Sequence, residues 1–259
     1  MAVPLIALHH VGKSFDGGRT FALRGLSLDV HSGQFVALVG ASGSGKTTTL
    51  KTINRLVEPD EGEVRLDGRP TTGQAGPELR RGIGYVFQGI GLFPHMTVGE
   101  NIAVTPRLLA WAEADIAARI DELLDLVSLP RAFAGRAPKA LSGGQQQRVG
   151  LARALAARPR IMLMDEPFGA LDPLTRQELG DAYRRLHETL GLTTVMVTHD
   201  VQEAVLLADR IVVMKDGRIL ADEAPRALLR GHPDPDVAAL MATPRVQAER
   251  VAALMAGGE

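Results

Sequence analysis

Short apolar runs broken by turn residues open the chain. Leu5 to Val11, Phe21 to Val30 and Gln34 to Val39 read as strands, separated by Asp16-Gly17-Gly18 and His31-Ser32-Gly33. The first two form an antiparallel lead-in to the third. Glu63 to Gly68 adds another strand and turn. From about residue 90 to 157 the apolar period becomes helical: Ile116, Ile120, Leu124 and Val127 share one face of a helix near 113–128. Gly135 to Ala140 reads as a loop, and a helix is expected to begin after Ser142. The unbroken run Ile161-Met162-Leu163-Met164 predicts a strand buried on both faces. Leu179, Tyr183, Leu186 and Leu190 mark the apolar stripe of an amphipathic helix, with a strand at Thr194 to Val197 behind it. Arg210 to Met214, then Lys215-Asp216-Gly217-Arg218, reads as a strand and hairpin turn. From Gly231 the chain is broken by prolines and then rich in alanine, which predicts a loosely packed helix or two. Alternating strands and helices give an α/β fold with a mainly parallel sheet. An antiparallel β subdomain is expected before it, with an α-helical subdomain inserted over about 89–157. Residues 1–229 then form one domain and 230–259 a short C-terminal helical tail, too short for a separate regulatory domain.

Composition narrows the classes. A chain of 259 residues, 45% hydrophobic and 23% charged, suits one large domain or one with an inserted lobe. Net charge is −1, from 29 basic and 30 acidic residues. That balance points to no nucleic-acid partner and no polybasic membrane anchor. With no cysteine, disulfides, thiolate metal sites and cysteine nucleophiles are excluded. Met1 to Leu8 is apolar without a basic lead-in, so it is not read as a signal peptide. No uncharged apolar run approaches about 20 residues, so membrane passage would have to come from other chains.

The chemistry begins at Gly40-Ala41-Ser42-Gly43-Ser44-Gly45-Lys46-Thr47, a G-x-x-x-x-G-K-T segment between the strand Phe35 to Val39 and a helix starting near Thr48. In that order the three pieces make a phosphate cradle of the P-loop NTPase type. Glycines let successive N–H groups turn inward, and the helix N-terminus adds its positive end. Lys46 can reach the β- and γ-phosphates, and the Thr47 hydroxyl can ligate Mg²⁺. The strand Ile161 to Met164 ends in Asp165 and Glu166. In parallel α/β sheets ligands lie at the carboxyl ends of the strands. Asp165 is therefore expected near Mg²⁺, through a water, with Glu166 placed to polarise the attacking water. Leu141-Ser142-Gly143-Gly144-Gln145 offers a second anion site: a hydroxyl, bare backbone N–H groups and a helix dipole.

The order of these motifs resembles the nucleotide-binding subunit of ATP-binding cassette (ABC) transporters, over about residues 5–229. The cradle at 40–47, Gln88, the signature at 141–145, the acidic strand at 161–166, Ala170-Leu171-Asp172 and His199 follow in the family's order. The resemblance implies a homodimer, two copies facing head to tail. Each ATP then lies between the cradle of one copy and the Ser142, Gly143, Gly144 and Gln145 signature of the other. It implies that Phe15 stacks on adenine. Gly40, Ser42, Gly43, Ser44, Gly45, Lys46, Thr47 and Thr48 hold the phosphates. Gln88 senses Mg²⁺ and the attacking water, Glu166 is the general base, Asp172 lies at the dimer contact, and His199 bonds the γ-phosphate.

The stretches Arg80 to Gln88, Ile90 to Val98, Glu100 to Ala103 and Pro106 to Leu109 are closest to the ATPases of quaternary-amine osmoprotectant importers, as for glycine betaine or choline. Gly89 departs from that subgroup, which often has a second glutamine there. The resemblance then implies a peripheral protein on the cytoplasmic face of the membrane. Permease subunits would dock on the helical subdomain near 88–110, with an extracytoplasmic solute-binding protein in the same system. Import of an amino acid, taurine or nitrate is the alternative. Non-transport readings fit less well. Chromosome and repair cassettes carry long coiled coils or cysteine-rich modules, translation factors carry two cassettes, and a small-molecule kinase leaves Ser142–Gln145 and His199 unexplained.

Overall fold

Five consecutive side chains, Phe35 to Val39, are completely buried, and they split by parity between two cores. Phe35, Ala37 and Val39 face one core, and Val36 and Leu38 the other. This strand, β3 (Phe35–Val39), follows β1 (Ile6–Ser14) and β2 (Phe21–Val30). The computed structural model describes residues 3–89, 91–169 and 171–256. Ile90 and Ala170 of the motifs above lie outside the described residues, as do Met1, Ala2 and residues 257–259.

After β3 come α1 (Lys46–Ile53), β4 (Glu61–Leu66), the two-residue β5 (Arg69–Pro70), α2 (Gly76–Arg81) and β6 (Ile83–Val86). The helical stretch holds α3 (Val98–Leu108), α4 (Glu113–Leu126) and α5 (Gly143–Leu155). The chain then alternates: β7 (Ile161–Asp165), α6 (Pro173–Leu190), β8 (Thr193–Val197), α7 (Val201–Leu207) and β9 (Arg210–Lys215). It closes with β10 (Arg218–Glu223), α8 (Pro225–Arg230) and α9 (Pro235–Ala256). Strands pair as two sheets. The antiparallel one has the order β2-β1-β4-β5, and the six-stranded one β10-β9-β3-β8-β7-β6. In the second sheet β6, β7, β8, β3 and β9 run parallel and only β10 is reversed. The fold is therefore the expected α/β arrangement, with the antiparallel sheet covering one face of the parallel one.

Parity continues along the neighbours of β3. Ile161, Leu163, Val195, Val197 and Val212 join the core under the antiparallel sheet and α1. Met162, Met164, Met196, Ile211 and Val213 join the core shared with α3 to α7 and the C-terminal helices. Buried on both faces, these strands leave polar groups room only at their ends.

The helical lobe is held by capping and by two buried polar side chains. Thr97 and Glu100 form a capping box on α3. Asn101, with no exposed surface, accepts from Phe93 N at 2.8 Å and donates to Phe93, Met96 and Thr97 carbonyls, which pins the loop before α3. Arg119 reaches from α4 to the Leu155 and Ala156 carbonyls at the end of α5.

Several expectations need correction. Gly135–Ala140 is not a plain loop, since short 3₁₀ turns occupy Arg131–Gly135 and Pro138–Ala140. On α6, Leu190 is 51% exposed, while His187 is buried. The stripe advances by fours from Leu179 through Tyr183 to His187. There the ring nitrogens meet Thr194 Oγ1 at 3.0 Å and the Gly33 carbonyl at 3.2 Å. The tail is one helix, as allowed above, but its first half is not loosely packed: Val237 and Met241 are buried in the larger core.

Gly84 in β6 tests the tightness of this layer. A Cβ there would lie 2.2 Å from Met162 Sδ and 2.6 Å from the Ala154 carbonyl. Gly84→Ala is expected to cost about 1–3 kcal/mol by overpacking. Gly73→Ala, which meets open space, should stay within about 0.5 kcal/mol of the parent. Denaturant unfolding of the two variants side by side checks this.

Candidate functional site

At the carboxyl end of β3 the chain turns through Gly40–Gly45 into α1. Two glycines make that path possible. Gly40 has φ 146° and a Cβ there would sit 2.1 Å from the Met214 carbonyl; Gly45 has φ 101° and its Cβ would sit 2.5 Å from the Ala22 carbonyl. The loop is thus wedged between β9 and β2. No side chain caps α1, so its first N–H groups, including those of Lys46, Thr47 and Thr48, have no helical partner and face the loop's mouth. Ser42 and Gly43 are exposed at the rim, while Ser44 and Lys46 are buried. Lys46 Nζ folds back to donate to the Gly40 and Ala41 carbonyls, both at 2.8 Å. Burial holds this ammonium below the ordinary lysine value, and Glu166 and Asp165 partly restore it.

The ends of β7 and β8 complete the edge. Thr47 Oγ1 donates to Asp165 Oδ1 at 2.9 Å. Asp165 is 2% exposed. Burial pushes its carboxyl up, against the Thr47 hydrogen bond. A hydroxyl and a buried carboxylate in contact are hard oxygen donors of the kind Mg²⁺ takes. The pair fits that cation, and among the described residues no cluster of three or more His, Cys, Asp or Glu offers another metal site. Glu166, the next residue, has φ 49°, a left-handed backbone that non-glycine residues seldom adopt. Its Oε2 lies 3.5 Å from His199 Nδ1, just past β8. The structure therefore brings Lys46, Thr47, Asp165, Glu166 and His199 to one edge.

Gln88 borders that edge, and Phe15 stands exposed on the turn between β1 and β2. Gln88 is exposed two residues past Val86, which pairs with Met164 of β7. Phe15 is 66% exposed, so it is not a core residue. Its turn is braced on both sides. Asp60 accepts from Lys13 Nζ at 2.7 Å and Ser14 N at 2.8 Å, and Asp16 accepts from Thr20 N at 2.8 Å. Hydrogen bonds from the Thr20 hydroxyl, the Thr20 N–H and the Ser14 hydroxyl hold the Asp16 carboxyl at about 2. The ring is offered to solvent on a fixed frame.

Ser142, Gly144, Gln145 and Asp172 line a different concavity, with Arg148 and Thr175. Ser142 caps α5 in a capping box with Gln145, and Gly143, the first residue of that helix, is exposed. Asp172 caps α6, accepting from Thr175 N at 3.0 Å, and these bonds hold its carboxyl below the usual range. Two helix N-termini, the Arg148 guanidinium and the Asp172 carboxylate thus line one hollow, and the neutral α5 end beside Arg148 suits an anion. Among the described residues no hydrogen bond joins these side chains to the Gly40–Thr48 cradle.

Three residues that sequence reasoning passed over stand behind the site. Gln147 is 5% exposed and donates from Nε2 to the Glu166 carbonyl at 3.2 Å. A polar side chain in the buried stripe 147, 151, 154 and 155 of α5 was the available signal. Arg176 ties the Leu171 carbonyl to Asp200 Oδ2, at 3.2 and 3.3 Å. Glu203 on α7 is pushed up to about 7, chiefly by burial. Neither Arg176 nor Glu203 had a readable signal, because their burial comes from the packing of α6 against α7.

Comparison with known proteins follows the same lines. The family model described as ABC transporter matches residues 23–169. The carnitine transport ATP-binding protein OpuCA of Listeria monocytogenes is 50% identical over 226 residues, 87% of this chain and 57% of that protein. The glycine betaine uptake system ATP-binding protein YehX of Escherichia coli is 51% identical over 225 residues, 87% of this chain and 72% of that protein. A sulfate/thiosulfate import ATP-binding protein, CysA of Thermosynechococcus vestitus, is 50% identical over 214 residues, 83% of this chain and 62% of that protein. The chain thus spans less than two thirds of the length of OpuCA. Among solved structures, a dimeric ATP-binding cassette in a post-hydrolysis state with ADP and Pi matches with TM-score 0.79 and 38% identity, over 85% of this chain and 99% of that one.

Glu203 generates a pH prediction. Unfolded, its carboxyl ionises at about 4.3; folded, it keeps its proton up to about 7. Between those values the native state binds the extra proton, so stability falls as pH rises through the window. Glu203→Gln imitates the neutral acid and removes that loss. The variant should gain about 1–3 kcal/mol over the parent at pH 8 and next to nothing at pH 4, just below the window. Denaturant melts at both pH values measure the difference, and a parallel shift at both would reject the assignment.

Proposed function

The chain belongs to the ABC transporter family, and on that premise we propose that it is the ATP-hydrolysing subunit of a bacterial importer for a quaternary-amine osmoprotectant such as glycine betaine or choline. The observation that carries the ATPase reading is the single edge holding Lys46, Thr47, Asp165, Glu166 and His199 beside an uncapped helix N-terminus. ATP's phosphates lie in the loop, where the N–H groups of Gly43 to Thr48 and the Lys46 ammonium take the place of water. Phe15 stacks on the adenine. Thr47, and Asp165 through a water, would hold Mg²⁺ with Gln88 beside it, and the cation would supply charge that offsets that of the β- and γ-phosphates. Gln88 orients the attacking water, Glu166 accepts its proton, and His199, beside Glu166, bonds the γ-phosphate.

The second hollow supports the homodimer. Its α5 end and Arg148 suit phosphate, yet no side chain lining it bonds to the cradle of the same copy. A head-to-tail partner supplies the missing half: Ser142, Gly143, Gly144 and Gln145 of one copy meet the γ-phosphate held by the other, with Asp172 at the contact. ATP then bridges the copies, and loss of phosphate opens them.

The membrane side is supported by a cleft of about 470 Å³ beside β6, lined among others by Tyr85, Phe87, Phe93, Thr105 and Arg153. Phe87 and Phe93 are 45% and 41% exposed, and the cleft adjoins Gln88. Permease subunits dock there and carry dimer closure into the membrane. Among the described residues no helix is long and apolar enough to cross a membrane. The chain then sits peripherally on the cytoplasmic face, with a solute-binding protein outside. The osmoprotectant assignment draws on the identity to OpuCA and YehX. The similar identity to CysA keeps sulfate as the second reading.

Lys46→Ala is expected to lower ATP hydrolysis at least about 100-fold, as loss of a phosphate-stabilising donor does. A phosphate-release assay reads it, and normal turnover rejects the cradle assignment. Glu166→Gln should bind ATP, stall, and run as a dimer on size exclusion with ATP present. For the substrate, uptake of labelled glycine betaine, choline and sulfate is compared in cells carrying the chain with its permease, and in cells carrying Glu166→Gln. Uptake of a quaternary amine that is lost in the variant is expected. Uptake of sulfate alone would replace the osmoprotectant reading.

A further inference from the structure

Gln147 links the signature helix to the edge that holds Glu166. It lies on α5, five residues beyond the capping Ser142, on the inner face of the helix whose first turn forms the signature. Its Nε2 donates to the Glu166 carbonyl at 3.2 Å, and its Oε1 has no partner among the described residues. A buried amide with one unpartnered atom is a cost to stability, and an apolar side chain of similar size avoids it. The bond it does make falls on the backbone of the proposed general base.

That backbone needs holding. With φ 49°, Glu166 occupies a conformation that persists only where its surroundings impose it. Three bonds do so: Glu166 N donates to the Val197 carbonyl at 2.9 Å, and the Glu166 carbonyl accepts from Gly169 N at 3.3 Å and from Gln147. The first ties the base to β8, and the second ties it to its own turn. The turn runs on to Asp172 at the second hollow, whereas Gln147 ties the base directly to the helix whose first turn is the signature. Between Ser142 and Gln147 runs continuous helix, which transmits a tilt or shift without absorbing it.

We infer that Gln147 is a positioning residue for hydrolysis, which couples the signature end of α5 to the backbone that aims Glu166. The inference rests on the proposed ATPase dimer. In that dimer the signature of one copy meets the nucleotide held by its partner, whereas Glu166 serves the nucleotide of its own copy. Docking of the partner's γ-phosphate on Ser142–Gly144 therefore sets the aim of a base at the opposite site. Each site hydrolyses well only when the other is filled, and the Gln147 side-chain hydrogen bond carries the signature's position to the base.

The test uses steady-state hydrolysis by the full chain. Gln147→Met keeps the length and apolar stem but cannot donate. It should lower kcat about tenfold, leave KM within about twofold, and bring the Hill coefficient for ATP toward 1. Combined with Glu166→Gln it should still form the ATP-bound dimer at the same ATP concentration, since binding and closure do not use the bond. Gln147→Glu gives a second reading, independent of whether the methionine variant folds. Its carboxyl donates to the Glu166 carbonyl only when protonated, so its kcat relative to the parent should rise as pH falls from 8 to 6. A purely structural role predicts a flat ratio. Parental kcat and Hill coefficient in Gln147→Met, or a flat ratio in Gln147→Glu, overturns this inference alone. A parent chain with no Glu166-dependent hydrolysis overturns the proposed function, and this inference falls with it.

Discussion

Burial of the parallel strands on both faces is the constraint from which the rest of the structure follows. β3 has no solvent face along its whole length, and β7 and β8 are buried throughout as well. A strand in that position can carry no ionised side chain along its length, because desolvation would cost far more than one contact returns. Polar chemistry is forced to the strand ends, and in a parallel sheet those ends coincide. Thr47 and Asp165, 118 residues apart, meet at 2.9 Å for that reason. Lys46, Glu166 and His199 lie at the same edge through the same geometry. The antiparallel sheet adds the wall that keeps the arrangement closed: β2 presses its Ala22 carbonyl so near Gly45 that no side chain fits there.

The helical lobe answers a different requirement. Its helices pack on one face of the sheet. Ser142 and Asp172 cap neighbouring helices with short polar side chains, each accepting a backbone N–H three residues on. A cap satisfies one or two of the free amide groups at a helix start; the neutral Ser142 leaves the dipole end of α5 uncompensated, whereas the Asp172 carboxylate offsets that of α6. The α5 end beside Arg148 gives the hollow a place that favours an anion. On the proposed reading its separation from the cradle is functional. A site split between two surfaces is assembled only when two copies meet around the nucleotide, so assembly and nucleotide binding become one equilibrium.

How much of this could be read from residues alone depended on whether the signal was local. The cradle was legible because a glycine-rich turn needs its glycines at fixed spacing, and the buried strands because unbroken apolar runs of that length have few other uses. Asp165 and Glu166 followed from their position at a strand end, and Ser142 from the capping pattern. Pairing partners were not legible. Leu190 and Leu186 fit an apolar stripe equally well on paper, but the stripe on α6 turns toward His187, whose ring finds Thr194 and Gly33 across the sheet. Gln147, Arg176 and Glu203 carry polar groups whose importance comes from elements distant in sequence. The tail was underestimated for the same reason: Val237 and Met241 look unremarkable in an alanine-rich segment until α9 lies against α7 and α8.

The electrostatics of the edge explain why such a site waits for its ligand. Burial depresses the Lys46 ammonium and raises the Asp165 carboxyl, so each group is pushed toward its neutral form. Their mutual attraction offsets only part of this, and Glu166 supports the ammonium while pushing the Asp165 carboxyl further up. Lys46 meanwhile spends its protons on the Gly40 and Ala41 carbonyls, which are weaker acceptors than phosphate oxygens. A polyphosphate entering the loop gives the lysine a charged acceptor. A divalent cation beside Thr47 and Asp165 gives the carboxylate a charged neighbour of the right sign. Each arrival relieves a desolvation cost already present in the folded chain. Nucleotide and cation should therefore bind better together than apart, and the bound state should be more stable than the free one by linkage. The fold, in burying its strands so completely, has already arranged the charges that make binding favourable.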